Sequence, residues 1–225
     1  MTSRKPQQLR GHQTRQAVLD GAGRVFDRVG FGNATLSEIV HESGVTAGSL
    51  YFFFPLKRDV ALAVIAEQNS RTAAALELAG VARSPLRGLI DASRAIGDQL
   101  LTDPLVRAGI RLSLEEGTLS APTSAFYLDW IGGVSAQLRM AQDTGEVSTE
   151  FSADDLGRTV VPYFTGVHLV SNVLTGRSDL YQVLCTMWRV FVADVATPDA
   201  ALGLDDYVRK VFRESQPELV RSDPK

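Results

Sequence analysis

The sequence is short of several things, and each shortage removes a class of protein. One cysteine, Cys185, among 225 residues cannot build a disulfide framework, and it fits a reducing, cytoplasmic setting. With no base near it in sequence, Cys185 is expected in the core. Only three histidines occur, His12, His41 and His168, and their spacing is not that of metal ligands. Long apolar runs are missing. The longest, Val160 to Val170, is broken by Pro162 and His168 and is too short to span a bilayer, so no membrane association is expected. No apolar stretch follows the basic residues of Met-Thr-Ser-Arg-Lys-Pro, which argues against a secretory signal. There is no Gly-x-Ser-x-Gly elbow and no Gly-x4-Gly-Lys phosphate loop. Gly21-Ala-Gly23 falls within a helical pattern with no strand before it, so it is not a dinucleotide loop. Enzyme chemistry, cofactor and metal are therefore all unexpected.

What is present is helical periodicity. Hydrophobic residues make up 44% of the chain, enough for a substantial core. Strand-like alternation is scarce, and glycine and proline fall where helices would end. The spacing predicts an all-α chain. A first helix runs from about Gln13 to Val29, with Gly30 as its stop. A second opens on Thr35-Leu-Ser-Glu38, the pattern of a capping box. A short third helix spans about Thr46 to Phe53, and a fourth runs from near Leu56 to about Leu78. Further on, Ser84-Pro85 and Asp103-Pro104 place a capping side chain before a proline at the first helical position. Four more helices are expected, from about Thr123, Ser152, Ser178 and Thr197-Pro198.

Charge is uneven along this chain. The formal net charge is −3, but residues 1–60 hold eight Lys and Arg against five Asp and Glu. The remainder holds fifteen against twenty-one. A basic head on an acidic body would keep attraction for phosphate local, although ordinary scatter of surface charge gives the same sum.

The second and third helices meet at Ser43-Gly44-Val45-Thr46. Glycine permits a turn that sets two helices at a steep angle, with Ile39, Val45 and Leu50 between them. The third helix would present Thr46, Ala47, Gly48, Ser49 and Tyr51, small or hydroxylated residues suited to a major groove. Thr46 and Ser49 can donate to phosphates or base edges, and Tyr51 to a phosphate. Lys57 lies where an ammonium could pair with the DNA backbone, and Arg4, Lys5 and Arg10 could reach neighbouring phosphates. Phe52 and Phe54 are expected in the core. A packed helical hairpin in a structural scaffold would account for the same pattern.

The stretch Thr35-Leu-Ser-Glu-Ile-Val, then Gly44-Val-Thr-Ala-Gly-Ser-Leu-Tyr-Phe-Phe-Phe, then Lys57-Arg-Asp, resembles the DNA-binding head of the TetR family. The resemblance implies a three-helix helix-turn-helix domain over 1–56, joined to a helical ligand-binding and dimerisation domain over 57–225. It implies operator contact through Thr35, Thr46, Ala47, Ser49, Tyr51 and Lys57. There are two departures. Ala47 stands where many relatives carry a lysine or arginine, and Phe53 where histidine is common. Phe53 would either touch a thymine methyl or pack.

Three polar or amphipathic residues interrupt apolar stripes in the body: Gln68, Trp130 and Thr165. Each could bond a nearby backbone group, with Trp130 filling the core. Converging, they would line a mostly apolar ligand pocket. The segments Gln68-Asn-Ser-Arg-Thr, Pro104-Leu-Val-Arg-Ala-Gly-Ile-Arg-Leu, Tyr127-Leu-Asp-Trp130 and Phe164-Thr-Gly-Val resemble the γ-butyrolactone receptor branch of that family. That resemblance implies Trp130 against a lactone, furan or butenolide ring. Gln68 and Thr165 would bond its polar groups, and its alkyl tail would lie among Leu89, Val134 and Phe164. An antibiotic or other hydrophobic molecule is the alternative ligand. The segment from Val160 to Leu174 is apolar nearly all round, so it needs partners on both sides. Packed with the helix carrying Leu180, Val183, Leu184, Met187 and Val190, it would form either a homodimer interface or a deeply buried monomer core.

Overall fold

Ten α-helices follow one another in a computed structural model that describes residues 4–80, 82, 84–115 and 120–213. They are α1 (Arg4–Asn33), α2 (Leu36–Ser43), α3 (Ala47–Phe53), α4 (Lys57–Gly80) and α5 (Pro85–Thr102), then α6 (Pro104–Leu114), α7 (Ser120–Asp143), α8 (Ala153–Thr175), α9 (Leu180–Val195) and α10 (Pro198–Arg213). Among the described residues there is no strand, only an isolated antiparallel bridge between Val147 and Ala196.

The capping chemistry in the sequence starts several of these helices. Asp103 Oδ1 accepts from the Leu105 amide at 2.9 Å, and Ser152 Oγ from the Asp155 amide at 3.1 Å. Ser84 Oγ accepts from the Arg87 amide at 3.2 Å. Two expectations change. The first helix begins well before Gln13, although Gly30 breaks it where expected (φ 74°, ψ 179°), a short helical piece following to Asn33. Nor does Ser178 open α9. The chain leaves α8 through left-handed Gly176 and Arg177, and α9 begins at Leu180 with Asp179 at the N-cap. The Asp179 carboxylate accepts from the Ser171 and Thr175 hydroxyls at 2.6 Å each instead of capping α9. Those two bonds hold its carboxyl below the usual range.

The helices gather into two compact units. The first takes residues 1–74 and 98–129, the second 75–97 and 130–225. The first unit is thus larger than the 1–56 head expected from the sequence, because α6 packs along α1. Its core joins Val18, Ala22, Val25 and Phe26 of α1 to Ile39, Leu50, Val60, Val64, Leu105 and Leu112. Two glycines allow the close approaches. A Cβ at Gly21 would lie 2.7 Å from the Ser43 amide nitrogen, and one at Gly23 would lie 2.8 Å from Leu105 Cα. The glycine pair that is no nucleotide loop is therefore a pair of packing notches on α1. Arg107 anchors α6 to Asp27 at 2.8 Å, and Arg111 Nη1 donates to the Asp27 carbonyl at 2.9 Å.

In the second unit α9 packs against both α8 and α10, and polar contacts tie α9 and α10 to α5. The Trp188 indole donates to Ser93 Oγ at 2.6 Å, and the Ser93 hydroxyl donates in turn to the Ile90 carbonyl at 2.8 Å. Tyr207 donates to Asp91 at 2.8 Å, fixing α10 against α5. Asp205 joins Arg189 of α9 and Arg209 of α10 at 2.6 and 2.7 Å.

The Gly23 notch gives a stability prediction. The Gly23→Ala methyl meets backbone, not a mobile side chain. It should lower unfolding stability by about 1–3 kcal/mol, read as a depressed melting temperature by circular dichroism. An unchanged melt would mean that α6 withdraws without cost.

Candidate functional site

The turn between α2 and α3 is built from three local devices. Thr35 Oγ1 accepts from the Glu38 amide at 3.2 Å, and Glu38 Oε2 accepts from the Thr35 amide at 3.0 Å. The Thr35 hydroxyl and amide hold the Glu38 carboxyl below its usual range. Gly44 then takes a left-handed conformation (φ 67°), and its N–H closes α2 on the Val40 carbonyl at 3.1 Å. Thr46 caps α3, its Oγ1 accepting from the Ser49 amide at 3.2 Å and sharing a hydrogen bond with Ser49 Oγ at 2.8 Å. Ile39 and Leu50 are fully buried between the helices, with Val45 half-buried beside them.

The exposed side of α3 carries Ala47, Gly48, Tyr51 and Phe52. Phe52 is not in the core as expected, being 80% exposed, whereas Phe54 is 5% exposed. The reason is helical spacing. The buried stripe runs from Leu50 to Phe54, four residues on, and Phe52 lies midway, on the opposite side. Phe53 is half-buried, edge-on to Phe52 with centroids 5.1 Å apart.

Several cations of the head have partners inside the chain. Lys57 Nζ donates to the carbonyls of Phe31, Gly32 and Ala34 at 2.7, 3.3 and 2.8 Å, and lies 4.6 Å from the Phe31 ring centroid. An ammonium has three donors, and these carbonyls take all three. Arg24 and Arg28 pair with Glu42 at 3.2 and 3.3 Å and hold its carboxyl low. The side chains of Arg4 and Lys5 lie outside the described residues. Arg10 is exposed.

The second unit encloses an apolar cavity. Leu89 and Ile96 of α5, Trp130 and Val134 of α7, Phe164 of α8 and Trp188 of α9 are among its walls. Trp130 meets Phe164 edge to face, centroids 6.0 Å apart. The free volume is about 30 Å³, room for a water molecule but far below the roughly 300 Å³ or more of an occupied small-molecule pocket. Four of the six expected ligand residues, Leu89, Trp130, Val134 and Phe164, are thus brought together. Gln68 and Thr165 are not among the lining residues. Thr165 Oγ1 donates to the Val161 carbonyl of its own helix at 2.9 Å. Gln68 belongs to the first unit, where its amide donates to Thr72 at 2.7 Å and its Oε1 is buried without a hydrogen-bond donor. Ser93 and Trp188 supply polar groups to the lining that the sequence pattern had not marked, because they meet from positions 95 residues apart.

His168 lies near this wall, 5.5 Å from the Phe164 ring. Burial pushes it down to about 4, with Arg177 adding to the effect. It is therefore neutral at ordinary pH. Among the described residues no cluster of His, Cys, Asp or Glu could hold a metal ion, and no helix is long and apolar enough to cross a membrane.

The outer sides of α8 and α9 are apolar and open to solvent. Val170, Val173, Leu174 and Val190 are exposed, Val173 by 81%. Grooves beside them are lined by Tyr163, Gly166, Val167 and Val183, and by Phe151, Thr159 and Val195.

These features agree with what the chain is similar to. Residues 18–64 match the family described as bacterial regulatory proteins, tetR family, and residues 83–197 match the tetracyclin repressor-like C-terminal domain. The chain is 36% identical over 191 residues to the A-factor receptor protein of Streptomyces griseus, covering 85% of this chain and 67% of that protein. It is similar in structure to TylP, a TetR regulator from Streptomyces fradiae, with TM-score 0.70, 33% identity and 92% of each chain covered. It is also similar to CprB, the TetR family protein of Streptomyces coelicolor, in complex with its biological operator sequence. There the TM-score is 0.79 at 26% identity, over 92% of this chain and 100% of that one. The chain belongs to the TetR family of bacterial regulatory proteins. It is a helix-turn-helix regulator of transcription, not an enzyme, and its similarity extends to γ-butyrolactone receptors.

Lys57 offers a test of its placement. Lys57→Met keeps the stem and removes the ammonium from three carbonyls. It should lower thermal stability by about 1–3 kcal/mol in the absence of DNA. A variant that melts like the parent would return Lys57 to the solvent side of the head.

Proposed function

We propose that this protein is a repressor that binds a pseudo-palindromic operator as a homodimer and is released from it by a γ-butyrolactone-like, furan or butenolide signalling molecule. The observation that carries this reading is the apolar cavity with Trp130 packed on Phe164, taken with the similarity to the A-factor receptor protein. Trp130 would lie against the ligand ring, and Leu89, Val134 and Phe164 would surround its tail. Gln68 belongs to the first unit and does not line the cavity, so it is left out of this set of contacts. Residues 1–56 would serve as the DNA-binding domain and 57–225 as the effector and dimerisation domain. Thr35, Thr46, Ala47, Ser49 and Tyr51 would face the operator, with Lys57 holding the head from within. Such a regulator works in the cytoplasm, and on the nucleoid when bound.

The exposed apolar side of α8 and α9 supports a second copy of the chain as its cover. A contiguous apolar area of this kind is rarely left to water in a monomer. Two-fold symmetry of the protein would then match that of the operator.

Coupling would run through α4, one continuous helix whose residues are shared between the two units. Lys57 ties its start to the end of α1, and Gln68 and Thr72 are buried along its middle. A ligand that favours a different tilt of α4 changes the spacing of the two heads. Coupling of about 1–3 kcal/mol would weaken operator binding roughly 5- to 150-fold, and operator would weaken ligand binding equally.

A second reading is favoured by one observation. The Trp188 indole spends its donor on Ser93 Oγ, and the Ser93 hydroxyl spends its own on the Ile90 carbonyl. A cavity whose hydroxyl and indole donors are already engaged suits a ligand with little polarity, such as a hydrophobic antibiotic.

Two measurements test the proposal. In gel shifts on DNA upstream of its own gene, a lactone, furan or butenolide should release the protein. Trp130→Ala should raise the concentration needed at least tenfold. Release by none of the three, with release by a hydrophobic antibiotic, selects the second reading. Val173→Asp should convert a dimer to a monomer by light scattering at micromolar concentration. A monomeric parent would sink the dimer.

A further inference from the structure

The exposed face of α3 has an unusual chemistry for a helix that reads DNA. Ala47, Gly48, Tyr51 and Phe52 fall within about 140° of arc at 3.6 residues per turn, and all four are exposed. From Ala47 to Phe53 the helix holds no charged residue and no side-chain amide. It therefore cannot supply the Arg or Lys fork that recognises guanine, or the Asn or Gln pair that recognises adenine. Of the hydroxyls that remain, those of Thr46 and Ser49 are bonded to one another at 2.8 Å across the helix cap, which leaves the exposed Tyr51 phenol.

The groove presents one apolar mark, the thymine 5-methyl group. Phe52 is the matching surface. Its phenyl ring is 80% exposed, and the edge-on Phe53 ring braces it from behind at 5.1 Å and 85°. Gly48 gives an independent indication that something approaches this face closely. A Cβ there would meet nothing within 4 Å of the chain, so packing does not require glycine, and glycine weakens a helix. Its smallness leaves this face open to close approach from outside the protein.

We infer that α3 reads its operator chiefly through thymine methyl groups, and that Phe52 is the residue that discriminates thymine. Ala47 and Gly48 let the helix sink until the phenyl ring reaches the methyl edge. The inference rests on the DNA-binding role of this head, which binding of unmodified duplex tests separately.

The test uses the full chain and a duplex that it selects from a random library. Each thymine of one half-site is replaced in turn by deoxyuridine, which removes the methyl and keeps every hydrogen-bonding group. The parent should lose about fourfold in affinity at one or two positions, the value of one buried methyl. Phe52→Ala should bind the unmodified duplex more weakly and show a thymine-to-uracil ratio near one at those same positions, with its melting temperature unchanged. A parent indifferent to every replacement would overturn the inference, as would a Phe52→Ala variant that keeps the parent's ratio. A parent that selects no duplex would overturn the DNA-binding role, and this inference with it.

Discussion

The Lys57 ammonium lies against three carbonyl oxygens at the end of α1, and the geometry of the first unit follows from that contact. A helix C-terminus gathers unpaired carbonyls and a partial negative charge. Here the kink at Gly30 turns those of Phe31, Gly32 and Ala34 toward the first residue of α4. From α6, Arg107 and Arg111 engage Asp27 one turn earlier, and the Glu115 carboxylate accepts from the Phe31 amide at 3.2 Å. Three helices from distant parts of the sequence thus meet at one helix end. The turn that carries α2 and α3 leaves from the same place, and Ile39 and Leu50 then pack it into the core that α1 shares with α4 and α6.

Much of the fold was legible because its signals are local. The capping box at Thr35, the left-handed turn at Gly44 and the proline starts at Pro85, Pro104 and Pro198 each depend on residues within four positions, and each is present. The buried stripe of α4, Val60, Val64, Gln68, Thr72 and Ala75, was legible for the same reason. What could not be read depends on distance. Lys57 meets carbonyls 23 to 26 residues earlier, and Trp188 meets Ser93 across 95. Phe52 was misplaced although its position is local, because three phenylalanines in a row look like core, and only the placement of Leu50 decides which of them turns outward.

The candidate site divides along the same line. Apolar residues at helical spacing, Leu89, Trp130, Val134 and Phe164, come together because each is core-facing on its own helix. The polar expectations fared differently. A threonine inside a helix can satisfy itself on the carbonyl four residues back, as Thr165 does. A glutamine can meet a threonine one turn on, as Gln68 meets Thr72. Local partners of this kind compete with any ligand, and periodicity alone does not reveal which wins.

The narrow cavity has a consequence for sensitivity. On the ligand response proposed above, a space of about 30 Å³ would have to widen before the signalling molecule fits, so only the widened fraction of molecules would bind. The apparent dissociation constant is the intrinsic one divided by that fraction. The concentration at which a cell would respond is then adjustable from the far side of the wall. Changes in the fit of α10 against α5, where Tyr207 meets Asp91, would shift the threshold without touching the ligand at all.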